Sequence, residues 1–277
     1  MGALDAFSKA FSLVGDNKRI YFLVLGVTLF LNALNTFLFR SSNQVPIHEN
    51  ISSNVIFEQY GARPETFLTH DVRFVLLKLL ITIVLLSFVQ YSSVKAYFLS
   101  LEDDEYSMSQ LFVSALAKVP AVILINLLAY VVTLVFIVVP VAVLLFGVVT
   151  LSLGVIFLGI LLFFLVFPLV LTFFALVIPA YVETEKVSAF IEALKLTLEN
   201  LASSFGYGIL ILLLGIGVGI LTAPFVAVSI ALSANPLVLA LVEAPFNAFL
   251  VCFLWASGVL LYRDFKGIKG RKEEFLY

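Results

Sequence analysis

The sequence predicts an all-α integral membrane protein with six transmembrane helices. The chain of 277 residues is 62% hydrophobic and only 12% charged, whereas soluble domains are about a quarter charged. No Asp, Glu, Lys or Arg occurs between Val119 and Val182, and Glu243 is the single charge between Asn200 and Tyr262. A span needs about 20 apolar residues, so each run accommodates two spans. Amides in hydrocarbon must pair within their own segment, so these spans are helices.

The apolar segments form one polytopic membrane domain that covers residues 1–277. Residues 41–72 are expected to form an outer loop, in which Pro46, Gly61 and Pro64 interrupt any long helix. Residues 263–277 are expected to form a cytoplasmic tail. The six spans are predicted near residues 20–39, 74–94, 119–146, 153–181, 206–231 and 237–262.

The distribution of basic residues predicts the orientation of the chain. Of the 16 Lys and Arg residues, twelve flank the side that carries both termini and four lie on or near the other side. Because short cytoplasmic segments carry the excess of Lys and Arg, the sequence predicts a multi-pass cell-membrane protein with both termini in the cytoplasm. Lys78 lies inside the second span, and its long side chain reaches the interface without needing a functional role.

Three copies of one pattern suggest an internal repeat. Before the first, third and fifth spans the sequence reads Phe-x-x-Ala-[Phe/Leu], which is an apolar stripe on one helix face. We interpret this as three parallel repeats, each an amphipathic helix followed by a transmembrane hairpin. The alternative is a chance recurrence, since amphipathic helices commonly precede spans. The patterns are Phe7-Ser-Lys-Ala10-Phe11, Phe112-Val-Ser-Ala115-Leu116 and Phe190-Ile-Glu-Ala193-Leu194, and the second, fourth and sixth spans end at Tyr97, Tyr181 and Tyr262.

A family resemblance lies in the segment Ile178-Pro-Ala-Tyr-Val-Glu-Thr-Glu-Lys186, followed by Ala189-Phe-Ile-Glu-Ala-Leu-Lys195. This segment resembles a prokaryotic six-span family related to the membrane domain of glycerophosphoryl diester phosphodiesterases. The resemblance covers about residues 165–225. The family usually has a Gly in this turn and a Trp in the amphipathic helix, and this chain has neither. The resemblance implies a membrane architecture and no hydrolytic activity, because the chain has no phosphodiesterase domain.

Four polar residues within the spans are candidates for binding a ligand or an ion. Glu243 is the single acidic residue inside a predicted span, with Asn247 one turn beyond it, and Asn32 and Asn35 share a face of the first span. An ionisable group in hydrocarbon costs about 2.5–3.5 kcal/mol on insertion scales, so it should face a bundle interior or water. The alternatives are a carboxyl that bonds to a neighbouring helix and amides that hold helices together.

Other polar and small residues are predicted to make contacts between helices. Asn126 and Tyr130 lie one turn apart in the third span, where an interhelical polar contact contributes about 0.6 kcal/mol. Gly215 and Gly219 form a GxxxG match, which is a weak indication of a close helix contact. Cys252 is expected to pack as a small apolar residue.

No catalytic set, metal site, cofactor motif or basic patch for nucleic acid is recognisable in the sequence. Asn50 begins an N-glycosylation sequon in the predicted outer loop. The favoured function is that of a non-enzymatic protein in the lipid bilayer that handles a small or lipid-like ligand within its bundle, either by transport or by lipid binding. The alternative is a structural or accessory subunit that acts on partner proteins through its outer loop or the acidic segment Glu102–Glu105.

Overall fold

The computed structural model describes residues 2–42, 64–231 and 236–268, and the regular elements within these ranges are all helices. No strand occurs in the described ranges, in agreement with the predicted all-α class. The eight helices are α1 (Ala3–Asp16), α2 (Lys18–Ser42), α3 (Pro64–Leu101), α4 (Met108–Val149), α5 (Leu153–Thr184), α6 (Ala189–Glu199), α7 (Leu201–Ala231) and α8 (Pro236–Phe265).

Five segments of the described helices are long and apolar enough to cross a membrane, so the chain is a helical membrane protein. They overlap the second to sixth predicted spans. The first predicted span, residues 20–39, falls in α2, whose side chains are described as far as Leu34. The five segments are Val75–Leu101, Met108–Val149, Leu153–Thr184, Leu201–Val228 and Ala240–Phe265.

The predicted outer loop is shorter than residues 41–72 because helices enter it from both sides. Helix α2 continues to Ser42, and α3 begins at Pro64. Proline is well suited to the first helical position, since its missing N–H would have no helical partner there. Pro64 therefore starts a helix in place of interrupting one. Asn50 lies outside the described residues, so its glycosylation stays a prediction.

The core of the bundle consists of α3, α5 and α8, which all contact one another. Every residue from Leu176 to Val182 in α5 and from Ala256 to Arg263 in α8 is buried. A helix that is enclosed on all sides has no solvent- or lipid-facing stripe. The three helices end near Tyr97, Tyr181 and Tyr262, which are all buried, and we call this end of the bundle the tyrosine end.

The other long helices surround this core in a regular order. Helix α2 packs on α3 and α8, α4 packs on α5 and α3, and α7 packs on α8 and α5. Each peripheral helix therefore contacts two core helices. One is the core helix that follows it in the chain, and the other is the core helix that precedes it. No core helix precedes α2, which contacts the last one, α8. Each short helix packs on the same core helix as the peripheral helix that follows it. Helix α1, before α2, packs on α8, and α6, before α7, packs on α5.

At least one side-chain hydrogen bond bridges each of the three seams between a peripheral helix and the preceding core helix. Such bonds contribute about 0.6 kcal/mol each between membrane helices, so they fix the register of neighbouring helices more than they stabilise the bundle. The Tyr21 hydroxyl donates to the Pro245 carbonyl at 3.3 Å, the Asn126 Nδ2 donates to Gln90 Oε1 at 2.9 Å, and the Thr172 hydroxyl donates to the Ser204 carbonyl at 2.6 Å.

Two glycines allow α7 and α8 to approach α5 closely. A Cβ atom built on Gly208 would lie 2.1 Å from the Pro168 carbonyl oxygen, and one on Gly258 would lie 2.4 Å from the Ala175 carbonyl oxygen. Neither distance is compatible with a side chain. At Gly215 and Gly219, an added Cβ would meet nothing within 4 Å. The contact predicted from the GxxxG match is therefore not made within the described part of the chain.

The bundle is packed tightly at the tyrosine end and loosely at the opposite end. In α7 the side chains from Leu212 to Val228, which follow the buried Ile211, are half-buried or exposed. In α5 Gly159 is the one buried residue before Pro168. Large apolar side chains in these segments face outwards, as expected where lipid is the solvent.

An asparagine marks the joint between each short helix and the long helix that follows it. Asn17 separates α1 from α2 with φ −104° and ψ 48°, and Asn200 separates α6 from α7 with φ −114° and ψ 44°. In both cases the side-chain Nδ2 donates to the carbonyl four residues earlier, at 2.8 Å and 3.0 Å. The amide thereby satisfies a helix-end carbonyl that would otherwise lack a partner.

The second copy of the sequence pattern has no such joint. Asn17 and Asn200 each lie ten residues after the first Phe of the pattern, and the corresponding residue in the second copy is the buried Val122. Valine has no side-chain donor with which to end a helix. Helix α4 accordingly runs without interruption from Met108 to Val149.

The two joints differ in a way that predicts unequal stabilities. Asn17 is buried, its Nδ2 also lies 3.1 Å from Ser100 Oγ, and its Oδ1 accepts from the Tyr106 hydroxyl at 2.7 Å. Asn200→Ala loses the local cap and should cost about 0.5–1.5 kcal/mol. Asn17→Ala also loses the contacts to α3 and Tyr106, so we expect at least twice that loss. Thermal unfolding in detergent measures both variants, and equal losses would contradict the bridging role of Asn17.

Candidate functional site

A cavity of about 310 Å³ lies between α2 and α8, away from the tyrosine end. Its volume is at the lower limit of small-molecule pockets, which measure about 300–1,000 Å³. We call it the α2–α8 groove. It is lined by Leu29, Phe30, Asn32, Ala33, Ala240 and Leu241.

Among the described residues that line it, the walls of the α2–α8 groove are apolar apart from one side-chain amide. The Asn32 Nδ2 donates to the Ala240 carbonyl at 3.2 Å, which bridges α2 and α8 inside the groove. Phe30 is 53% exposed and Leu241 is 49% exposed, so the groove opens sideways, towards the space that lipid chains occupy. A chain of methylenes with a small polar group fits these walls better than a charged solute, which would lose its hydration without gaining a counter-ion.

Glu243 and Asn247 lie in α8 beyond the α2–α8 groove. Glu243 is half-buried one turn after Ala240, and it is not among the described residues that line the groove. Asn247 is exposed one turn after Glu243, and it too is not among the described residues that line the groove. The structure therefore brings Asn32 into a cavity and leaves Glu243 and Asn247 outside it. Their predicted role as an ion or ligand site stays a prediction.

The remaining candidate residues lie elsewhere. Asn35 belongs to α2, and its side chain is outside the described part of the structure. Asn126 makes an interhelical hydrogen bond, to Gln90 Oε1. Tyr130 is 60% exposed, and its ring packs against Phe174 of α5 with centroids 5.1 Å apart.

A cluster of polar residues at the tyrosine end holds α6 against α5 and α8. Its members are Tyr262, Glu183, Glu192 and Lys266, and we call it the Tyr262 cluster. The Tyr262 hydroxyl lies within hydrogen-bond distance of Glu183 Oε2 and 3.0 Å from Glu192 Oε1. A phenol carries one proton, so it donates to one carboxylate at a time. Lys266 Nζ lies 2.5 Å from Glu192 Oε1, and this hydrogen bond raises the pKa of the Lys266 ammonium.

A second ionic contact fixes the turn between α5 and α6. Glu185 has a φ of 53°, in the left-handed region that favours glycine. Its carboxylate accepts from Lys118 Nζ of α4 at 2.8 Å, and that hydrogen bond lowers the pKa of Glu185. Sequence reasoning missed both ionic contacts, since they join residues far apart in the chain. For the Tyr262 cluster, the available signal in the sequence was the tyrosine that recurs at the ends of the second, fourth and sixth predicted spans.

The comparisons with known proteins give no functional information. No family model matches the chain, and neither the curated proteins nor the solved structures contain a match. The resemblance of residues 165–225 to the membrane domain of glycerophosphoryl diester phosphodiesterases therefore stays a prediction.

A pair of Tyr→Phe variants tests whether the Tyr262 cluster holds α6. Tyr262→Phe removes the hydroxyl that joins α8 to Glu183 and Glu192, so we expect a loss of about 1–2 kcal/mol and faster hydrogen exchange in α6. Tyr97→Phe is the matched control, because the buried Tyr97 hydroxyl, beside the Cys252 thiol, has no hydrogen-bond partner of standard geometry in the described ranges. Its removal should be neutral or slightly stabilising. Equal exchange in α6 for the two variants would contradict this assignment.

Proposed function

We propose that this chain is a six-span cell-membrane protein, with both termini in the cytoplasm, that binds a lipid-like ligand in the α2–α8 groove. The observation that carries the proposal is the groove itself, an apolar cavity of about 310 Å³ with one amide in its wall. Its sideways opening gives a ligand access from the bilayer without passage through water. In this proposal the protein binds or presents a lipid and does not catalyse a reaction.

The proposal adds α2, which holds the first predicted span, to the five long apolar segments. The 25 residues of α2 would extend about 37 Å at 1.5 Å per residue, which exceeds the roughly 30 Å of a hydrocarbon core. The twelve basic residues assigned to the cytoplasmic side include those in the turns beside the tyrosine end. The tyrosine end is then cytoplasmic, and the α2–α8 groove lies towards the outer leaflet.

The helix contacts support three parallel repeats. In this proposal the units are α1 to α3, α4 to α5, and α6 to α8, and each peripheral helix packs on its own core helix and on that of the preceding unit. Equivalent residues share equivalent environments. Ala10, Ala115 and Ala193 are all fully buried. Each core helix is followed by a residue with positive φ, namely Asp103, Glu185 and Gly267.

Aromatic contacts also recur between the units. Phe7 packs on Phe253 with centroids 4.8 Å apart, and Phe112 packs on Phe88 with centroids 5.4 Å apart. Phe253 and Phe88 each lie nine residues before the tyrosine that ends their core helix. The third unit has Thr172 at this position, where its hydroxyl bonds to Ser204 in place of an aromatic contact.

A second candidate function is that of a structural or accessory subunit. The observation in its favour is the acidic turn Glu102–Glu105 between α3 and α4, in which all four side chains are exposed. Such a turn suits a basic segment of a cytoplasmic partner protein. This function requires no ligand in the α2–α8 groove, so the groove variants below distinguish the two candidates.

Cysteine labelling tests the proposed topology. In a Cys252→Ser background, Ser53→Cys lies in the predicted outer loop and Ser188→Cys lies in the turn before α6. A membrane-impermeant maleimide should label the first variant on intact cells and the second only after the membrane is opened. Labelling of Ser188→Cys from outside would overturn the proposed orientation. If neither variant were labelled on intact cells, the segment between α2 and α3 would not be an outer loop.

A filled groove tests ligand binding. Ala33→Trp places an indole among the lining residues and should reduce binding of a neutral fluorescent probe with an alkyl chain about tenfold or more, because the ring occupies the volume of that chain. Ala142→Trp is the matched control, since Ala142 is exposed on α4 and its substitution leaves the groove open. Binding to purified protein in detergent is measured by fluorescence anisotropy. Equal binding by the two variants would rule out the groove as the site and favour the accessory function.

A further inference from the structure

We infer that the ligand of the α2–α8 groove is a single-chain amphiphile whose polar end carries a hydroxyl donor, and that the Leu241 carbonyl recognises it. The inference rests on the proposed function, because it names the chemistry of the same ligand. It starts from Pro245, which lies inside α8 four residues after Leu241. Proline has no amide N–H. The carbonyl of Leu241 therefore lacks the donor that an uninterrupted α-helix would supply.

The residue whose carbonyl has lost its helical donor borders the α2–α8 groove. Leu241 is one of the lining residues. The adjacent carbonyl, that of Ala240, already accepts from Asn32 across the groove at 3.2 Å. Hydrogen-bond acceptors in hydrocarbon need a partner, and neighbouring groups or waters usually supply one where proline removes it. A hydroxyl on a ligand that lies against Leu241 would supply the missing donor.

The chemistry of the walls narrows the class of ligand. No described Asp, Glu, Lys or Arg lines the α2–α8 groove, so a charged headgroup would lose its hydration without compensation. The apolar side chains Leu29, Phe30 and Ala33 suit an alkyl chain. A neutral hydroxyl donates one hydrogen bond and fits beside the amide of Asn32. Fatty alcohols and monoacylglycerols belong to this class.

A pair of probes that differ in one donor tests the inference. Wild-type protein is titrated with a long-chain fatty alcohol and with its O-methyl ether, each displacing the neutral fluorescent probe with an alkyl chain. The ether has the same chain and oxygen but no O–H. We expect the alcohol to bind about 3- to 20-fold more tightly, which is the range that interhelical hydrogen bonds in membranes contribute.

Restoring the helical donor should abolish this preference. Pro245→Ala supplies an N–H to the Leu241 carbonyl, so the alcohol and the ether should bind within about twofold of one another. Pro224→Ala in α7 is the matched control, since it restores a donor to the Ile220 carbonyl, which does not line the groove. This control should retain the full preference for the alcohol.

The outcomes separate this inference from the proposed function. Suppose that the two probes bind equally to wild-type protein and that Ala33→Trp abolishes both binding events. The inferred role of the hydroxyl donor would then be wrong, and the groove would still be a lipid site. This result would mean that water satisfies the Leu241 carbonyl. A preference that persists in Pro245→Ala would also overturn the inference. Binding that Ala33→Trp does not affect would instead overturn the proposed function.

Discussion

Backbone hydrogen bonding without water is the constraint on which the rest of this structure depends. In hydrocarbon each main-chain N–H and C=O must find its partner within the protein, and this explains why every regular element in the described ranges is a helix. It also restricts where a helix can be interrupted. The chain interrupts its helices at Asn17 and Asn200, where a side-chain amide bonds to a carbonyl that the interruption has freed.

The same constraint applies at Pro245, which removes the helical donor of one carbonyl in α8. The joints at Asn17 and Asn200 supply the donor for the freed carbonyl from the side chain at the joint itself. At Pro245 the affected carbonyl belongs to Leu241, which lines the α2–α8 groove. An acceptor that has lost its helical donor beside a cavity is a natural place for a ligand to bind, whereas in a packed core the same loss would only destabilise the fold.

The uneven packing of the bundle is consistent with a rigid end and an adaptable end. At the tyrosine end, α3, α5 and α8 enclose one another, and Gly208 and Gly258 bring the backbones of α7 and α8 against α5. Here substitutions that enlarge a side chain have no space to fill. Towards the opposite end, the side chains of α7 from Leu212 to Val228 are half-buried or exposed. Lipid chains are then the natural neighbours of these residues.

The sequence by itself determined the all-helical class, the approximate limits of five apolar spans and the recurring Phe-x-x-Ala pattern. These features follow from composition and local periodicity, because uncharged runs of about 20 residues have one stable form in hydrocarbon. Only the tertiary structure decided which polar residues meet. It brought Asn32 to the Ala240 carbonyl and Tyr262 to two glutamates, and it left Glu243 outside the α2–α8 groove. Such meetings depend on the rotation and register of whole helices, which are set by the close contact of helix backbones and are not encoded in any local stretch of sequence.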